Sequence, residues 1–367
     1  MDILEEHDVG VRLPEGLSLL LHQAQARGEV HGLRVARGAL ALSHLLFADD
    51  SLLFFKANVG EAQAIKRCLT DYEKLSGQTI NYNKSNICFS KNTQQVERNV
   101  VATVFGVHQA HNFGKYLGLL AFVGRNKRAV FAYVEDKVRK RIGSWNKKLL
   151  SRAGKEILLK SVAQAMPTFT MSVFLLPDSL CKNLERVMNR FWWRNGRDGG
   201  GIHWLAWDKL SVPKKYGGLG FKDLRAFNVA MLGKQGWRFL TDPNSLVARI
   251  FKARYYPNTD FLNASVGNNP SFPWRSIMAA QGLINRNVRR RIGNGDSTLV
   301  WGHPWLMRGS EPRILSKKPA HLGEVKVSGL IDPTSATWDT PLLNELFSAV
   351  EVEQILAIPI SPAYDDM

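Results

Sequence analysis

The spacing of apolar positions predicts a chain built mainly of amphipathic helices. Between residues 61 and 76 the apolar positions recur every three or four residues, and Gly77 supplies a helix stop. The same spacing from Val130 to Trp145, and again over 178–193, predicts two more helices. The apolar stripe of the helix from Val130 comprises Phe131, Val134, Val138, Ile142 and Trp145.

Weaker patterns predict further elements. Ser151 is expected to be the N-cap of a helix that ends before Pro167. Its inward positions are expected to be Ile157, Leu158, Val162 and Met166. Helices are also predicted over 221–240 and 245–256. Residues 79–89 alternate like a strand, and 287–305 predict a hairpin that turns at Asn294-Gly295.

Two apolar runs between Leu42 and Lys56 flank the adjacent carboxylates Asp49 and Asp50. Runs rich in Leu and Phe, interrupted by Asp-Asp-Ser, predict two antiparallel strands joined by a tight turn, because Asp tolerates turn conformations. Two carboxylates at an exposed turn can bind Mg²⁺ together with substrate phosphates, as phosphoryl or nucleotidyl transfer requires. The alternative is a solvated structural turn, since Asp is an ordinary turn residue.

The segment around Asp49 resembles the catalytic hairpin of reverse transcriptases. The string Phe47-Ala48-Asp49-Asp50 lies between apolar runs, and the longer HLLFADDSLLFFKA is similar to the plant non-LTR (LINE-type) retrotransposon branch. The resemblance covers roughly residues 14 to 360. Its other motifs are Pro14–Ser18 followed by LLLHQA, Gly32–Arg37, Ser76–Asn81 with Lys84-Ser85, and the primer-grip-like turn Tyr116-Leu117-Gly118.

The resemblance implies an RNA-directed DNA polymerase whose Mg²⁺ or Mn²⁺ is bound by Asp49 and Asp50. In the family a lysine at the position of Lys84 is associated with pyrophosphate release or the incoming phosphate, and a solvated lysine fits this position equally well. The family's metal site needs a further Asp from an earlier palm strand. Nothing in the thirteen residues before Pro14 resembles that strand, so we expect the polypeptide alone to be inactive as a polymerase.

The implied fold is α+β, a partial reverse-transcriptase palm followed by a mainly helical thumb and a mixed, loop-rich C-terminal region. Four segments are predicted: a palm with the carboxylate hairpin at 1–120, a basic helical thumb at 121–195, a Trp- and Gly-rich basic connection at 196–318, and an acidic segment at 319–367.

The distribution of charge along the chain predicts a class of binding partner. The 367 residues carry a formal net charge of +17, and residues 319–367 hold eight acidic side chains against one basic, so that the rest of the chain is about +24. A strongly basic body indicates a polyanionic partner, because each phosphate that it neutralises releases counterions. A basic surface without a partner is the alternative.

The basic residues concentrate in the thumb-like segment. Residues 124–160 carry twelve basic and three acidic side chains, a balance of +9. Lys and Arg spread along helices, without a base-reading motif, predict contacts with the phosphates of duplex or hybrid nucleic acid that are independent of sequence. The predicted contact residues are Lys137, Lys140, Arg141, Lys148, Arg152 and Lys155.

Other classes are disfavoured. No apolar run approaches the roughly 18 residues that a membrane helix needs, and the acidic N-terminus resembles neither a signal nor a transit peptide, so an intracellular protein is expected. Cys68, Cys88 and Cys181 are too scattered for a disulfide framework or a metal site. Three hypotheses remain: a truncated, inactive reverse transcriptase, a nucleic-acid-binding module derived from one, and a retroelement reading frame without a selected function.

Overall fold

The computed structural model describes residues 12–111, 114–120, 123–145, 150–194, 201–306, 312–361 and 363–366. It divides into two units, which are treated separately below. The first comprises Met1–Val130 with Arg249–Pro257, and the second comprises Phe131–Ala248 with Asn258–Met367. The four segments predicted from the sequence stay a prediction.

Helices make up most of the regular structure. In chain order they are α1 (Arg12–Ala26), α2 (Val59–Ser76), α3 (Gln95–Phe105), α4 (Lys127–Trp145), α5 (Arg152–Leu158), α6 (Thr168–Met171), α7 (Asp178–Trp193), α8 (Trp207–Ser211), α9 (Leu224–Thr241), α10 (Leu246–Tyr255), α11 (Phe272–Met278), α12 (Gln281–Asn287), α13 (Thr340–Leu346) and α14 (Ala349–Leu356).

The strands are short and form separate pairs. They are β1 (His44–Phe47), β2 (Asp50–Leu53), β3 (Asn86–Ile87), β4 (His108–Gln109), β5 (Lys115–Tyr116), β6 (Leu119–Leu120), β7 (Ile331–Asp332) and β8 (Thr337–Trp338). Strands β3 and β4 are parallel, whereas the pairs β1–β2, β5–β6 and β7–β8 are antiparallel. The fold is therefore α+β, as predicted.

In the first unit, α1, α2 and α3 enclose a small core beneath the hairpin β1–β2. The predicted helix at 61–76 is confirmed as α2, which begins after Asn58 and ends at Gly77. The Asn58 side chain accepts a hydrogen bond from the Glu61 N–H, and Gly77 adopts φ of 70°, a left-handed conformation that suits glycine. Cys68 is buried in this core, as expected for a small apolar residue.

The predicted strand at 79–89 is wrong over most of its length. The Lys84 N–H donates to the Asn81 carbonyl oxygen and to the Asn81 side-chain oxygen, both at 3.1 Å, so this segment closes into a turn. Asn competes in this way with strand hydrogen bonding because its side chain satisfies nearby backbone donors. Regular pairing begins only at Asn86–Ile87, which forms β3.

In the second unit, the predicted stripe of α4 is confirmed, because all five of its apolar residues are buried. The predicted helix at 178–193 is confirmed as α7. Asn228 of α9 is fully buried and holds the segment before α7, since its side chain accepts from the Leu176 N–H and donates to the carbonyl oxygens of Met171 and Phe174. The buried amide is thus fully used in packing.

Ser151 caps α5 as predicted, with its hydroxyl oxygen accepting from the Gly154 N–H at 3.1 Å. The predicted inward positions are wrong in register, because Ile157 is 64% exposed whereas Leu159 and Ala163 are buried. A turn of π-helix at Leu159–Ala163 follows α5 and widens the spacing of the backbone hydrogen bonds. This wider turn shifts the buried face away from the positions that 3.6-residue spacing indicates.

The predicted hairpin at 287–305 is also wrong. The Asn294 N–H donates to the Tyr364 carbonyl oxygen at 2.8 Å, and Gly295 accepts from the Ser328 N–H at 3.1 Å. The turn is therefore bonded to distant segments and not to flanking strands. The surrounding core contains buried residues from Ile292 to Ile358, so most of the acidic segment folds into it.

No helix in the described ranges is long and apolar enough to cross a membrane.

Candidate functional site

The carboxylate hairpin forms as predicted, with Asp49 and Asp50 at its tip. In the register of β1 and β2, Phe47 lies opposite Asp50, so that Ala48 and Asp49 make a two-residue turn. Ala48 adopts φ of 50°, in the left-handed region that such tight hairpin turns require. Asp49 and Asp50 are both exposed, with Asp49 in the turn and Asp50 at the start of β2.

A buried carboxylate, which the sequence analysis missed, supports the base of this hairpin. Glu61 is only 4% exposed and accepts hydrogen bonds from the Lys56 N–H at 3.0 Å and from the His31 N–H at 3.2 Å. Burial by itself raises the pKa of Glu61, but these hydrogen bonds outweigh it and lower the pKa overall. Glu61 thus ties the chain that leaves β2 to the start of α2.

His44 lies in β1, and both of its ring nitrogens have hydroxyl partners. Its Nε2 lies 2.9 Å from the Ser18 hydroxyl and its Nδ1 lies 2.9 Å from the Ser43 hydroxyl. Burial, followed by the neighbouring His22, lowers the pKa of His44. Both ring nitrogens have protein partners, so this imidazole is positioned for packing and not for metal binding.

The primer-grip-like turn is a second tight hairpin in the same unit. Strands β5 and β6 pair with Tyr116 opposite Leu119, and Leu117 and Gly118 form the turn with φ of 48° and 77°. Burial, and to a smaller extent the charge of Asp50, raises the pKa of Tyr116. The Tyr116 phenol therefore lies within electrostatic range of the carboxylate hairpin.

Lys84 lies in the turn that replaces the predicted strand, and it is exposed. Its assignment to pyrophosphate or to the incoming phosphate stays a prediction, as does the primer-grip assignment of Tyr116, Leu117 and Gly118.

The donor set for a divalent cation is incomplete among the described residues, where no group of three or more His, Cys, Asp or Glu side chains comes together. Asp49 and Asp50 are exposed, and Mg²⁺ prefers a nearly ideal octahedral sphere of oxygen ligands. With two carboxylates, water would supply most of that sphere. The described residues therefore do not fit a two-metal centre, and the expected Mg²⁺ or Mn²⁺ stays a prediction.

Helix α4 carries exposed cations outside its buried stripe. Lys137, Lys140 and Arg141 are all exposed, and their spacing of three and four residues puts them on one surface of the helix. We call these three residues the α4 basic face. Arg139, beside it, forms an ion pair with Glu135. The α4 basic face presents three cations toward solvent.

The predicted contact residues on α5 have different surroundings. The Arg152 Nη1 donates to the Trp192 carbonyl oxygen at 2.6 Å, and its guanidinium lies 5.3 Å from the ring centroids of Trp192 and Trp193. The Lys155 Nζ donates to the Arg194 carbonyl oxygen. Burial, then the nearby charges of Arg152 and Arg194, lowers the pKa of Lys155.

These contacts serve the C-terminus of α7, where the last carbonyl groups of a helix need donors. Arg152 and Lys155 therefore have hydrogen-bond acceptors within the second unit, although Arg152 is exposed and Lys155 half-buried, and their predicted contacts with phosphate stay a prediction. Lys148, the remaining predicted contact residue, lies outside the described residues. The structure thus separates the predicted interface into the exposed α4 basic face and two cations with internal partners.

Two plant proteins are similar to the chain, whereas no protein-family model matches it. The uncharacterized mitochondrial protein AtMg00310 of Arabidopsis thaliana is 42% identical over 144 residues, which is 39% of this chain and 94% of that protein. "Putative ribonuclease H protein At1g65750", also of Arabidopsis thaliana, is 30% identical over 185 residues, 50% of this chain and 30% of that protein. The two similarities support a plant retroelement-related reading frame, and neither relative is named as a reverse transcriptase.

Proposed function

The chain belongs to the family of the Arabidopsis thaliana mitochondrial protein AtMg00310, and we propose that it is a palm-to-thumb segment of a non-LTR retroelement reverse transcriptase that binds nucleic acid without sequence preference. Its relation to plant retroelement reading frames and the Phe47-Ala48-Asp49-Asp50 hairpin support the ancestry. The α4 basic face supports the binding.

The observation that carries the proposal is the arrangement of α4. Its apolar stripe is buried along the whole described helix, which fixes Lys137, Lys140 and Arg141 on the outer side. Three exposed cations along about one helical turn can follow consecutive phosphates of a duplex backbone. Such contacts position nucleic acid but carry no information about its sequence.

The two tight hairpins support the palm part of the proposal. The carboxylates at the tip of β1–β2 and the Tyr116 phenol of β5–β6 lie within electrostatic range of each other. In the resembled family these two hairpins are the catalytic hairpin and the primer grip, and the effect of Asp50 on Tyr116 is compatible with that resemblance.

Salt dependence of binding tests the interface. If the α4 basic face engages phosphates of a 20-base-pair duplex, the logarithm of affinity falls linearly with the logarithm of salt concentration, by about 0.9 for each phosphate neutralised. Replacing Lys137, Lys140 and Arg141 together by Gln is expected to flatten the slope by up to about 2.7. Circular dichroism verifies that the variant remains folded.

A matched triple variant controls for total charge. Lys182, Lys209 and Lys234 are exposed on three other helices of the second unit, and replacing them by Gln removes the same charge. We expect this control to leave most of the slope unchanged. Equal losses in both variants, or affinity that does not depend on salt, would refute the assignment of the α4 basic face.

Primer extension tests the catalytic part. No third carboxylate or histidine joins Asp49 and Asp50 within the described ranges, and two ligands cannot clamp both the attacking and the leaving oxygen. We therefore expect no extension of a primed RNA template with Mg²⁺ and deoxynucleotides by this polypeptide alone. The measurement is incorporation of labelled nucleotide, with Asp49→Ala as the control. Extension by the unmodified chain that Asp49→Ala abolishes would show that the metal site is complete.

A further inference from the structure

The segment Gly293–Thr298 in the second unit binds the side chain of Asp366 with an unusual number of donors. The N–H groups of Gly293 and Gly295 donate to Asp366 Oδ1 at 2.7 and 2.9 Å. The Ser297 N–H and hydroxyl donate to Oδ2 at 3.1 and 3.2 Å, and the Thr298 hydroxyl donates to Oδ2 at 2.7 Å. Five hydrogen bonds thus converge on one carboxylate, and we call Gly293–Thr298 the anion loop.

Two glycines allow the backbone of the anion loop to approach neighbouring segments closely. A Cβ on Gly293 would lie 2.1 Å from the Tyr364 carbonyl oxygen, and a Cβ on Gly295 would lie 2.4 Å from the Ser328 nitrogen, so neither position accepts a side chain without rearrangement. Gly295 also adopts φ of 77°, which glycine alone adopts readily. The backbone N–H groups are consequently free of side-chain cover and can turn toward an anion, as in other backbone nests.

The cation of Arg290 lies next to the hydrogen-bond donors of the anion loop. The Arg290 guanidinium donates to the Ser297 carbonyl oxygen at 3.0 Å and to the Ser297 hydroxyl at 2.8 Å. Burial lowers the pKa of Arg290, while the charges of Asp366 and Asp260 act in the opposite direction. Arg290 therefore orients the hydroxyl that meets the anion and contributes a cation close to it.

We propose that the anion loop is a phosphate-binding site in which the Asp366 carboxylate occupies the place of a phosphate. Three backbone N–H groups, two hydroxyls and a nearby guanidinium are the donors that phosphate oxygens accept in proteins. A tethered carboxylate competes at a high effective concentration, so an external phosphate must displace Asp366 to bind. The acidic segment thereby controls access to a site on the basic part of the same chain.

The anion loop and Asp366 include none of the residues of the α4 basic face. The proposal consequently stands whether or not α4 contacts nucleic acid. Its ligand is either a free phosphate group or the phosphodiester of a nucleic acid, which share the same oxygen chemistry. The two sources differ in charge and size, and separate titrations distinguish them.

Calorimetric titration with inorganic phosphate tests the site in the full chain. Asp366→Ala removes the internal competitor, and we expect phosphate affinity to rise at least about tenfold over the unmodified chain. Asp365→Ala is the matched control, because Asp365 is exposed and its carboxylate accepts from the Asn294 side chain at 3.2 Å, so Asp366 stays bound in the anion loop. A gain in the Asp366 variant alone supports the proposal, whereas no gain overturns it.

A substitution in the anion loop itself provides the second test. Adding Thr298→Val to Asp366→Ala is expected to remove most of the gain, because the hydroxyl that donates at 2.7 Å is lost. If Asp366→Ala does not fold, Asp366→Asn, which keeps the side-chain shape, replaces it. Phosphate affinity of the Asn variant equal to that of the unmodified chain would show that Asp366 is a structural pin only, and so would failure of both variants to fold.

Titration with a 12-base-pair duplex identifies the source of the phosphate. Duplex affinity that rises in Asp366→Ala and survives glutamine substitution of Lys137, Lys140 and Arg141 assigns a phosphodiester to the anion loop. A gain confined to inorganic phosphate assigns a free phosphate group. Loss of duplex binding with the α4 substitutions, while phosphate binding persists, separates this site from the proposed function.

Discussion

Helices α4 and α5 carry basic residues that look alike in the sequence, yet the fold uses them in opposite ways. On α4, Lys137, Lys140 and Arg141 are exposed and lie outside the buried stripe. On α5, Arg152 and Lys155 donate to carbonyl groups at the end of α7. A count of charges treats the two helices as one basic surface, whereas the cations of α5 already donate to backbone carbonyl groups, although Arg152 is also exposed.

The carboxylates divide in the same way. Asp49 and Asp50 are exposed at a hairpin tip, where an external ligand can reach them. Glu351, by contrast, is 7% exposed and accepts hydrogen bonds from the Leu315 N–H and from the N–H and hydroxyl of Ser316. The internal hydrogen bonds of Glu351 make its charge a contribution to stability, whereas Asp49 and Asp50 are exposed to an external ligand.

The largest effect is expected at Glu351. Burial raises its pKa, but hydrogen bonds from Ser316, Ser348 and Leu315 outweigh burial and lower it from 4.5 to about 2. The ionised form therefore stabilises the fold fully above pH 4.5, and this contribution is lost as the pH falls toward 2. It amounts to about 3 kcal/mol.

Urea unfolding at pH 7 and at pH 3 measures this contribution. Glu351→Gln is expected to lower the free energy of unfolding strongly at pH 7, with a smaller deficit at pH 3 because the unmodified chain has lost part of its advantage. Glu353→Gln on the same helix is the control, since Glu353 is exposed. The same deficit at both pH values would contradict the assignment.

A smaller loss of stability is expected from Arg152→Ala. The substitution removes the donor to the Trp192 carbonyl oxygen and a cation above two indole rings, together worth about 1 to 2 kcal/mol. Thermal and urea unfolding measure the change. Arg141→Ala is the comparison: its guanidinium lies 6.0 Å from the Trp145 ring centroid, so we expect a smaller loss, and equal losses in the two variants would erase the distinction between the helices.

Single substitutions on the α4 basic face are expected to change stability less. Lys140→Gln should alter the free energy of unfolding by less than about 0.5 kcal/mol, because Lys140 is exposed. Lys137→Gln should alter it by less than about 1 kcal/mol, because Lys137 is exposed and its Nζ lies 5.8 Å from the Tyr133 ring centroid, a weak contact at an exposed site. Urea unfolding measures both changes, and a loss above about 1.5 kcal/mol in either variant would mean that the lysine stabilises the fold as strongly as a residue with an internal acceptor.

The smallest effect is expected at the hairpin tip. Without nucleotide, Asp49 and Asp50 supply too few ligands for tight Mg²⁺ binding, so we expect a dissociation constant in the millimolar range or weaker, on the order of exposed low-affinity sites. Calorimetry with Mn²⁺ and Mg²⁺ tests this expectation. Stoichiometric micromolar binding that Asp50→Asn abolishes would contradict this expectation and would show that the metal ion has a full set of ligands at the hairpin tip.

Patterns of neighbouring residues were sufficient to predict an element when that element packs one apolar side against one core. The stripe of α4 and the limits of α7 follow from apolar spacing, because a helix buries whichever side is apolar. The hairpin tip at Asp49 follows from two apolar runs around a turn-forming pair. The coarse assignment to plant retroelement-related sequences likewise rests on residues that lie close together in the chain.

The predictions that were wrong failed mostly because of contacts between residues far apart in the sequence. Asn294-Gly295 has the composition of a hairpin turn, but its hydrogen bonds go to Tyr364 and Ser328, which sequence spacing cannot reveal. The π-helical turn at Leu159–Ala163 moved the buried face of the segment after Ser151 by a residue or two. Glu61 and Asp366 read as ordinary surface acids, since nothing local marks the donors that surround them.

The sequence by itself determined the class of fold, the positions of the strongest helices, the carboxylate hairpin and the family relationship. Only the tertiary structure decided which charges are available, because that depends on carbonyl and N–H groups brought near by remote parts of the chain. Residues such as Arg152 and Asp366 acquire their partners at separations of 40 and 68 to 73 residues. A side chain's charge is local information, whereas its partner is a property of the folded chain.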